Sequence, residues 1–223
     1  MKFSCALSGF LSAVAVLALP RPDHTSPDLL KRAPVANKPR LAQPGIPSPS
    51  SARRLLSGLK TATPVDDGTY DRDLFPHWQA VEGNCNAREY VLRRDGAGVE
   101  VGNDCYPTAG TWTSPYDGAR HVDPPDVDID HMVPLKNAWI SGASEWTTAR
   151  RTAFANDVDS PQLWAVTGTV NRSKGDKSPD EWTPPLRSFH CTYAASWIAV
   201  KDKYALSASI AEVDALGAML DTC

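Results

Sequence analysis

Beyond its first twenty residues the sequence has no apolar run near the roughly 20 residues that a membrane-crossing helix requires. It also lacks a surplus of positive charge. Lys and Arg total 23 against 26 Asp and Glu, for a net charge of −3. That balance excludes a domain held to nucleic acid by bulk charge and leaves any basic surface local. No pair of cysteines has the C-x-x-C spacing of a structural zinc site. There is no G-x-S-x-G string for a serine hydrolase and no H-E-x-x-H string for a zinc protease. Internal repeats are absent, as is a helix rich in Arg, Asn and Gln suited to reading bases.

The chain opens with Met1-Lys2 and an apolar stretch from Gly9 to Leu19, followed by Pro20-Arg21-Pro22. A short apolar run behind a positive start reads as a secretory signal peptide over residues 1–19. Residues 20–64 are rich in Pro, Ser and basic side chains without sustained periodicity. Such a stretch buries too little apolar surface to offset its ordering entropy, so a disordered leader or pro-segment is expected. Lys31-Arg32 and Arg53-Arg54 are dibasic pairs, open to processing or simply solvated. The folded domain is expected over residues 65–223, in a secreted protein free of the membrane once the signal is removed.

Secretion sets how the cysteines are read. Cys5 leaves with the signal, and Cys85, Cys105, Cys191 and Cys223 remain. An even number in an oxidising compartment implies two disulfides with three possible pairings, of which the local ones, Cys85–Cys105 and Cys191–Cys223, are favoured.

Asn86 followed three residues later by Glu89 has the pattern of a capping box opening a helix through Arg94. Val99–Val101 and Thr111–Thr113 read as short strands, and the alternation of Asp126–His131 reads as another. Helices are expected over Glu145–Asn156, after Cys191 with Tyr193, Trp197, Val200 and Tyr204 on one face, and from Ser209 with Glu212 at its third position. Arg93-Arg94 and Arg150-Arg151 read as solvated helix faces. The seven tryptophans fall mostly in apolar patterns, so they read as core rather than base-stacking platforms. The fold class is α+β, with a small antiparallel sheet and surrounding helices.

Two segments carry chemistry. One reads Asp126-Val127-Asp128-Ile129-Asp130-His131-Met132-Val133-Pro134-Leu135, and the other, some forty residues on, Asn171-Arg172-Ser173-Lys174-Gly175-Asp176-Lys177. Phosphodiester hydrolysis needs a base for water, which a neutral His provides near pH 7. It also needs a cation to neutralise charge on phosphate and leaving oxygen. Mg²⁺ prefers hard oxygen ligands and needs only one or two side chains. Asp130 and Asn171 supply such oxygens, and His131 the base. Arg172, Lys174 and Lys177 are candidates for holding flanking phosphates. Because alternate strand residues face opposite sides, Asp130 and His131 can share a phosphate only if the strand ends or twists there. Pro134 allows that, and otherwise Asp128 is the runner-up as ligand or supporting partner. An ordinary imidazole would make activity fall at acid pH.

Together the two segments resemble the HNH (ββα-metal) nuclease superfamily, in the one-metal, Asn-bearing version found in RNA-guided CRISPR nucleases. Over a longer span the chain is similar to secreted fungal and actinobacterial proteins with a GmrSD-type C-terminal HNH domain. The residues behind this are Tyr-Asp-Arg-Asp-Leu-Phe-Pro-His-Trp (70–78), Cys-Asn-Ala-Arg-Glu-Tyr-Val-Leu (85–92), Pro-Leu-Lys-Asn-Ala-Trp (134–139), Phe-Ala-Asn-Asp (154–157) and Asp-Glu-Trp-Thr-Pro-Pro (180–185). The resemblance implies a ββα-metal core with Asp130 and Asn171 as ligands of Mg²⁺ (or Mn²⁺) and His131 as general base. For the family's middle Asn, which braces the loop behind the base, Asn156 fits by residue type and Gln162 by position. The implied activity is hydrolysis of DNA, with RNA as a second substrate, by a monomer with little sequence specificity. The alternative is a secreted binding protein that keeps the fold without catalysis.

Overall fold

A computed structural model of the chain describes Met1 and residues 43–223. The expected signal peptide, Cys5, Lys31-Arg32 and the leader up to residue 42 lie outside the described residues. In chain order the elements are helix α1 (Pro49–Gly58), strands β1 (Ala80–Glu82) and β2 (Cys85–Asn86), helix α2 (Ala87–Asp95), and strands β3 (Ala97–Val101), β4 (Pro107–Thr113), β5 (Arg120–His121) and β6 (Val127–His131). Helices α3 (Leu135–Ile140) and α4 (Thr148–Ala155), strand β7 (Leu163–Thr167), and helices α5 (Gly168–Lys174), α6 (His190–Tyr204) and α7 (Ile210–Leu220) complete the fold. The result is α+β, as the sequence implies. The strands of the described residues make three separate small antiparallel sheets, β1-β2, β3-β4-β5 and β6-β7, rather than one.

The capping boxes form as the pattern predicts. The Asn86 side chain accepts from Glu89 N while Glu89 reaches back to Asn86 N, and Ser209 and Glu212 do the same for α7. Disulfides join Cys85 to Cys105 and Cys191 to Cys223. The second ties the first turn of α6 to the chain end beyond α7. Among the described residues no helix is long and apolar enough to cross a membrane.

The expected disorder does not hold over residues 43–64, part of which is an ordered helix. Ser48 caps α1 by accepting from Ser51 N at 3.2 Å, and Pro49 begins it, where a missing N–H costs nothing. Ala52 is fully buried, and Leu55 and Leu56 pack on the main core. Arg53 donates to Leu220 O at 2.7 Å and pairs with Asp221 at 3.0 Å. Propensity alone did not reveal this helix because its apolar face is short and its stabilisation comes from α6 and α7. The Arg53-Arg54 pair therefore sits on a packed helix, unlike the exposed loop tips that proteases favour.

The pair β6-β7 positions the site. Their register sets Asp128 opposite Val166, Asp130 opposite Trp164 and His131 opposite Leu163. One face carries Val127, Ile129, Leu163 and Ala165 into a cluster with Val91 and Leu92 of α2 and Trp112 of β4. The other face carries Trp164 and Val166 into the larger core built on α6. Asp128 and Asp130 share that second face by the two-residue strand period, and α5 follows directly from β7 to pack on both strands.

Two arginines expected on solvated faces are buried instead. Arg94 is 4% exposed, donates to Asp95 at 2.7 Å and also bonds Leu163 O. Arg151 bonds Leu74 O at 2.8 Å and Trp146 O. Each spends its guanidinium on backbone carbonyls that no periodicity marks, so burial leaves few of its donors unpaired.

Candidate active site

Strand β6 ends at His131, and the chain then turns through Met132 and Val133 to Pro134 and α3. Gln162, fully buried, clamps that turn. Its Nε2 donates to Val133 O at 3.0 Å and its Oε1 accepts from Val133 N at 3.1 Å, while Met132 N donates to Gln162 O. Gln162 thus braces the backbone behind His131. Asn156 braces a different loop, donating to Pro76 O at 2.8 Å and accepting from Gln79 N at 2.7 Å. Between those contacts lies Trp78, whose φ of 58° is uncommon for a bulky residue. Its ring lies 5.6 Å from that of His131, centroid to centroid.

His131 is 5% exposed, and its Nε2 lies 2.9 Å from Ala155 O. A carbonyl only accepts, so Nε2 carries the proton and Nδ1 of the neutral ring holds the lone pair. Burial pushes the pKa of His131 down to about 3, with the positive charge of Arg72 acting in the same direction. The ring is therefore neutral throughout the ordinary range. By the same shift, the acid fall in activity expected from an ordinary imidazole is displaced to lower pH.

This depression predicts a pH-dependent stability. Between about pH 3 and the unfolded value near 6.5, the unfolded chain binds the proton that the folded His131 refuses. Stability then rises with pH across that window and is lost as pH falls through it. One proton gives a slope of at most about 1.4 kcal/mol per pH unit. Burial raises the pKa of Asp130, which works in the opposite direction. Urea unfolding of wild type and His131→Phe at pH 4.5 and 7.5 isolates the histidine, and a variant with an undiminished acid loss would refute its contribution.

Asp130 lies on the opposite side of the strand, 6% exposed. Lys174, with no exposed surface, donates to Asp130 Oδ2 at 2.7 Å, to Oδ1 at 3.0 Å and to His131 O at 2.8 Å. Tyr116 OH also donates to Asp130 Oδ2. Burial raises the carboxyl pKa and lowers that of the ammonium, and each charge pulls the other back. With all these hydrogen bonds the buried pair stands as an ion pair. Burial likewise holds the Tyr116 hydroxyl protonated, as the donor this contact requires.

Helix α5 brings the second segment alongside. Asn171 Nδ2 lies 3.3 Å from Asp128 Oδ2, and Arg172 Nη1 lies 3.6 Å from the same oxygen. A Cβ on Gly168 would sit 3.3 Å from the Asp128 carboxylate, so glycine here lets that carboxylate approach the first turn. Gly175, at φ 54°, closes the helix by donating to Asn171 O at 2.9 Å, a conformation that favours glycine.

Asp130, His131 and Asn171 share one cleft of about 330 Å³, whose wall includes Arg72, Pro134, Arg172 and Asp176. Asp130 and His131 both line this space although they lie on opposite faces of the strand, which ends at His131. Among the described residues no group of three or more His, Cys, Asp or Glu side chains is placed to hold a metal. The hard donors in the cleft are the carboxylates of Asp130 and Asp176 and the amide oxygen of Asn171, with Asp128 adjacent.

Residues 97–219 match the family model for GmrSD restriction endonucleases, C-terminal domain. The chain belongs to this family. It is also similar to an uncharacterized secreted protein of Arthroderma benhamiae, 51% identical over 213 residues that cover 96% of each chain. No solved structure matches. The name of that relative and the two disulfides accord with an extracellular setting.

Within the family domain, the structure departs from the sequence reading at the expected phosphate contacts. Lys174 is buried against Asp130, so it neutralises a carboxylate and does not line the cleft. Lys177 is exposed but donates to Ser173 O at 2.7 Å and does not line the cleft. Arg172 does line it. A lysine one turn from Asn171 reads as surface charge until the fold shows it pointing beneath the strand. Arg72 and Trp78, given no role from sequence, come to the site from a segment ahead of the matched family domain.

Proposed function

We propose that this chain is a secreted, metal-dependent endonuclease that hydrolyses phosphodiester bonds of DNA, and of RNA as a second substrate, with little sequence specificity. The observation that carries the reading is the convergence of Asp130, His131 and Asn171 in one cleft at the end of β6. In this reading β6, β7 and α5 form the ββα-metal core, and Gln162 takes the part of the middle Asn.

By donor type the residues fit a hard dication, which would share Asp130 with the hydrogen bonds from Lys174 and Tyr116. Asn171 turns its amide nitrogen to Asp128, and among the described residues its Oδ1 has no hydrogen-bond donor. One carboxylate and one amide suit Mg²⁺ (or Mn²⁺), which keeps waters and takes substrate phosphate as a ligand. Held by Asp130 and Asn171, with Asp128 as the runner-up, the ion would supply Lewis-acid stabilisation of the phosphate and the leaving oxygen. His131 takes a proton from the attacking water at Nδ1. As the new O–P bond forms, the old P–O bond breaks, and the leaving oxygen takes a proton from solvent. Ala155 O fixes the ring's tautomer, and Trp78 and the Gln162 clamp hold its position, which matters because a displaced base loses much of its rate.

Lys174 already partners Asp130, and this favours the second reading, a binding protein that keeps the fold without catalysis. Plasmid DNA incubated with the mature protein separates the two. Nicking is expected with Mg²⁺ or Mn²⁺ and is abolished by EDTA. No cleavage of plasmid, single-stranded DNA or RNA with either ion would leave the binding-protein reading.

A further inference from the structure

The cleft's cations are unevenly committed. Lys174 is consumed by Asp130, and Arg172 is drawn to Asp128 at 3.6 Å. Lys177 lies outside the wall. Arg72 is different. It lines the cleft with Asp130, His131 and Asn171, is solvent-accessible, and pairs with no carboxylate among the described residues. Its side chain contacts Tyr70, and its positive charge is felt at His131.

The backbone beneath it is anchored. Asp71 caps the turn Arg72–Leu74 by accepting from Asp73 N at 2.9 Å, and Arg151 Nε donates to Leu74 O at 2.8 Å. Phe75 is fully buried immediately after. An arginine presented from a fixed turn into a polar cleft, ion-paired to no described carboxylate although Asp176 shares the wall, is arranged to receive an anion.

We infer that Arg72 binds the phosphate that is cut, its planar fork meeting the non-bridging oxygens. The inference rests on the nuclease reading above and adds a residue that lies outside the matched family domain. Negative charge grows on those oxygens as water attacks, so a fixed cation there stabilises the transition state more than the ground state. Arginine suits this better than lysine because two parallel N–H donors match two phosphate oxygens.

The test compares wild type, Arg72→Ala and Arg72→Lys in Mg²⁺-dependent cleavage of a labelled oligonucleotide, with melting temperature measured alongside. Arg72→Ala is expected to lose about 100-fold in kcat/KM without a change in melting temperature, and Arg72→Lys to fall between the two. Binding of the uncut oligonucleotide in EDTA is expected to show a salt dependence shallower by about one ion for Arg72→Ala. If wild type cuts and Arg72→Ala cuts within about threefold of it, the inference is overturned while the nuclease reading stands. If wild type cuts nothing under any of these conditions, both fall together.

Discussion

His131→Ala is expected to cost metal-dependent cleavage about 1000-fold, the middle of the range for removing a positioned general base. The expectation follows from three constraints on one ring. Ala155 O holds Nε2 as a donor at 2.9 Å, Trp78 covers the ring, and burial keeps the ring neutral. Elsewhere in the cleft wall Asp130 is engaged by Lys174 and Tyr116 and the arginines are permanently charged, which leaves Asp176 as the other proton acceptor, to be substituted alongside as a control. Because alanine also removes a buried side chain, His131→Gln is the companion variant, with an amide donor for Ala155 O and no basic nitrogen. Both variants are to be measured for plasmid nicking with Mg²⁺ after circular dichroism confirms folding. A folded variant that retains a tenth or more of wild-type cutting would remove His131 from the base role.

Lys174→Met is expected to be the most destabilising single change in the site. It leaves Asp130 as an unpaired carboxylate at 6% exposure, and breaking a buried pair from one side costs roughly 3–5 kcal/mol. For a chain of this length that lowers the melting temperature by roughly 6–20 °C. The double variant Lys174→Met, Asp130→Asn removes both charges and recovers much of the loss, because the surviving group is then neutral. Thermal melts of the three proteins decide the matter. A lysine reaching outward to phosphate would leave the melting temperature nearly unchanged on substitution, and that outcome would refute the buried ion pair.

Much of this was legible in the sequence. Asn86 with Glu89 and Ser209 with Glu212 announce their helices because capping is a local bargain between a side chain and the nearest N–H groups. The alternation of Val127, Ile129 and their polar neighbours marks β6 because a strand between two environments must alternate. The four cysteines pair locally, as their spacing favours. Asp130, His131 and Asn171 stand out because few residue types combine hard oxygen donors with a base near neutrality.

The rest depended on three-dimensional neighbours. Strand β7 is buried at every position from Leu163 to Thr167, so it lacks the alternation that identifies a strand. Helix α1 has weak intrinsic cues and exists by docking on α6 and α7. Arg94, Arg151 and Lys174 look in sequence like any surface cation. What separates them is whether a carboxylate or carbonyl waits underneath, and such partners lie 69 residues away for Arg94 with Leu163 O and 44 for Lys174 with Asp130.

By itself, then, the sequence determined the chemistry on offer: an α+β chain whose carboxylate, imidazole and amide suit one-metal phosphodiester hydrolysis. Only the tertiary structure decided how those groups are deployed. It ended β6 at His131 so that residues from opposite strand faces meet in one cleft. It turned Lys174 inward to Asp130 and brought Arg72 and Trp78 in from a distant turn. Local pattern reports what each residue prefers. Burial, which sets charge pairing and pKa, belongs to the packed whole.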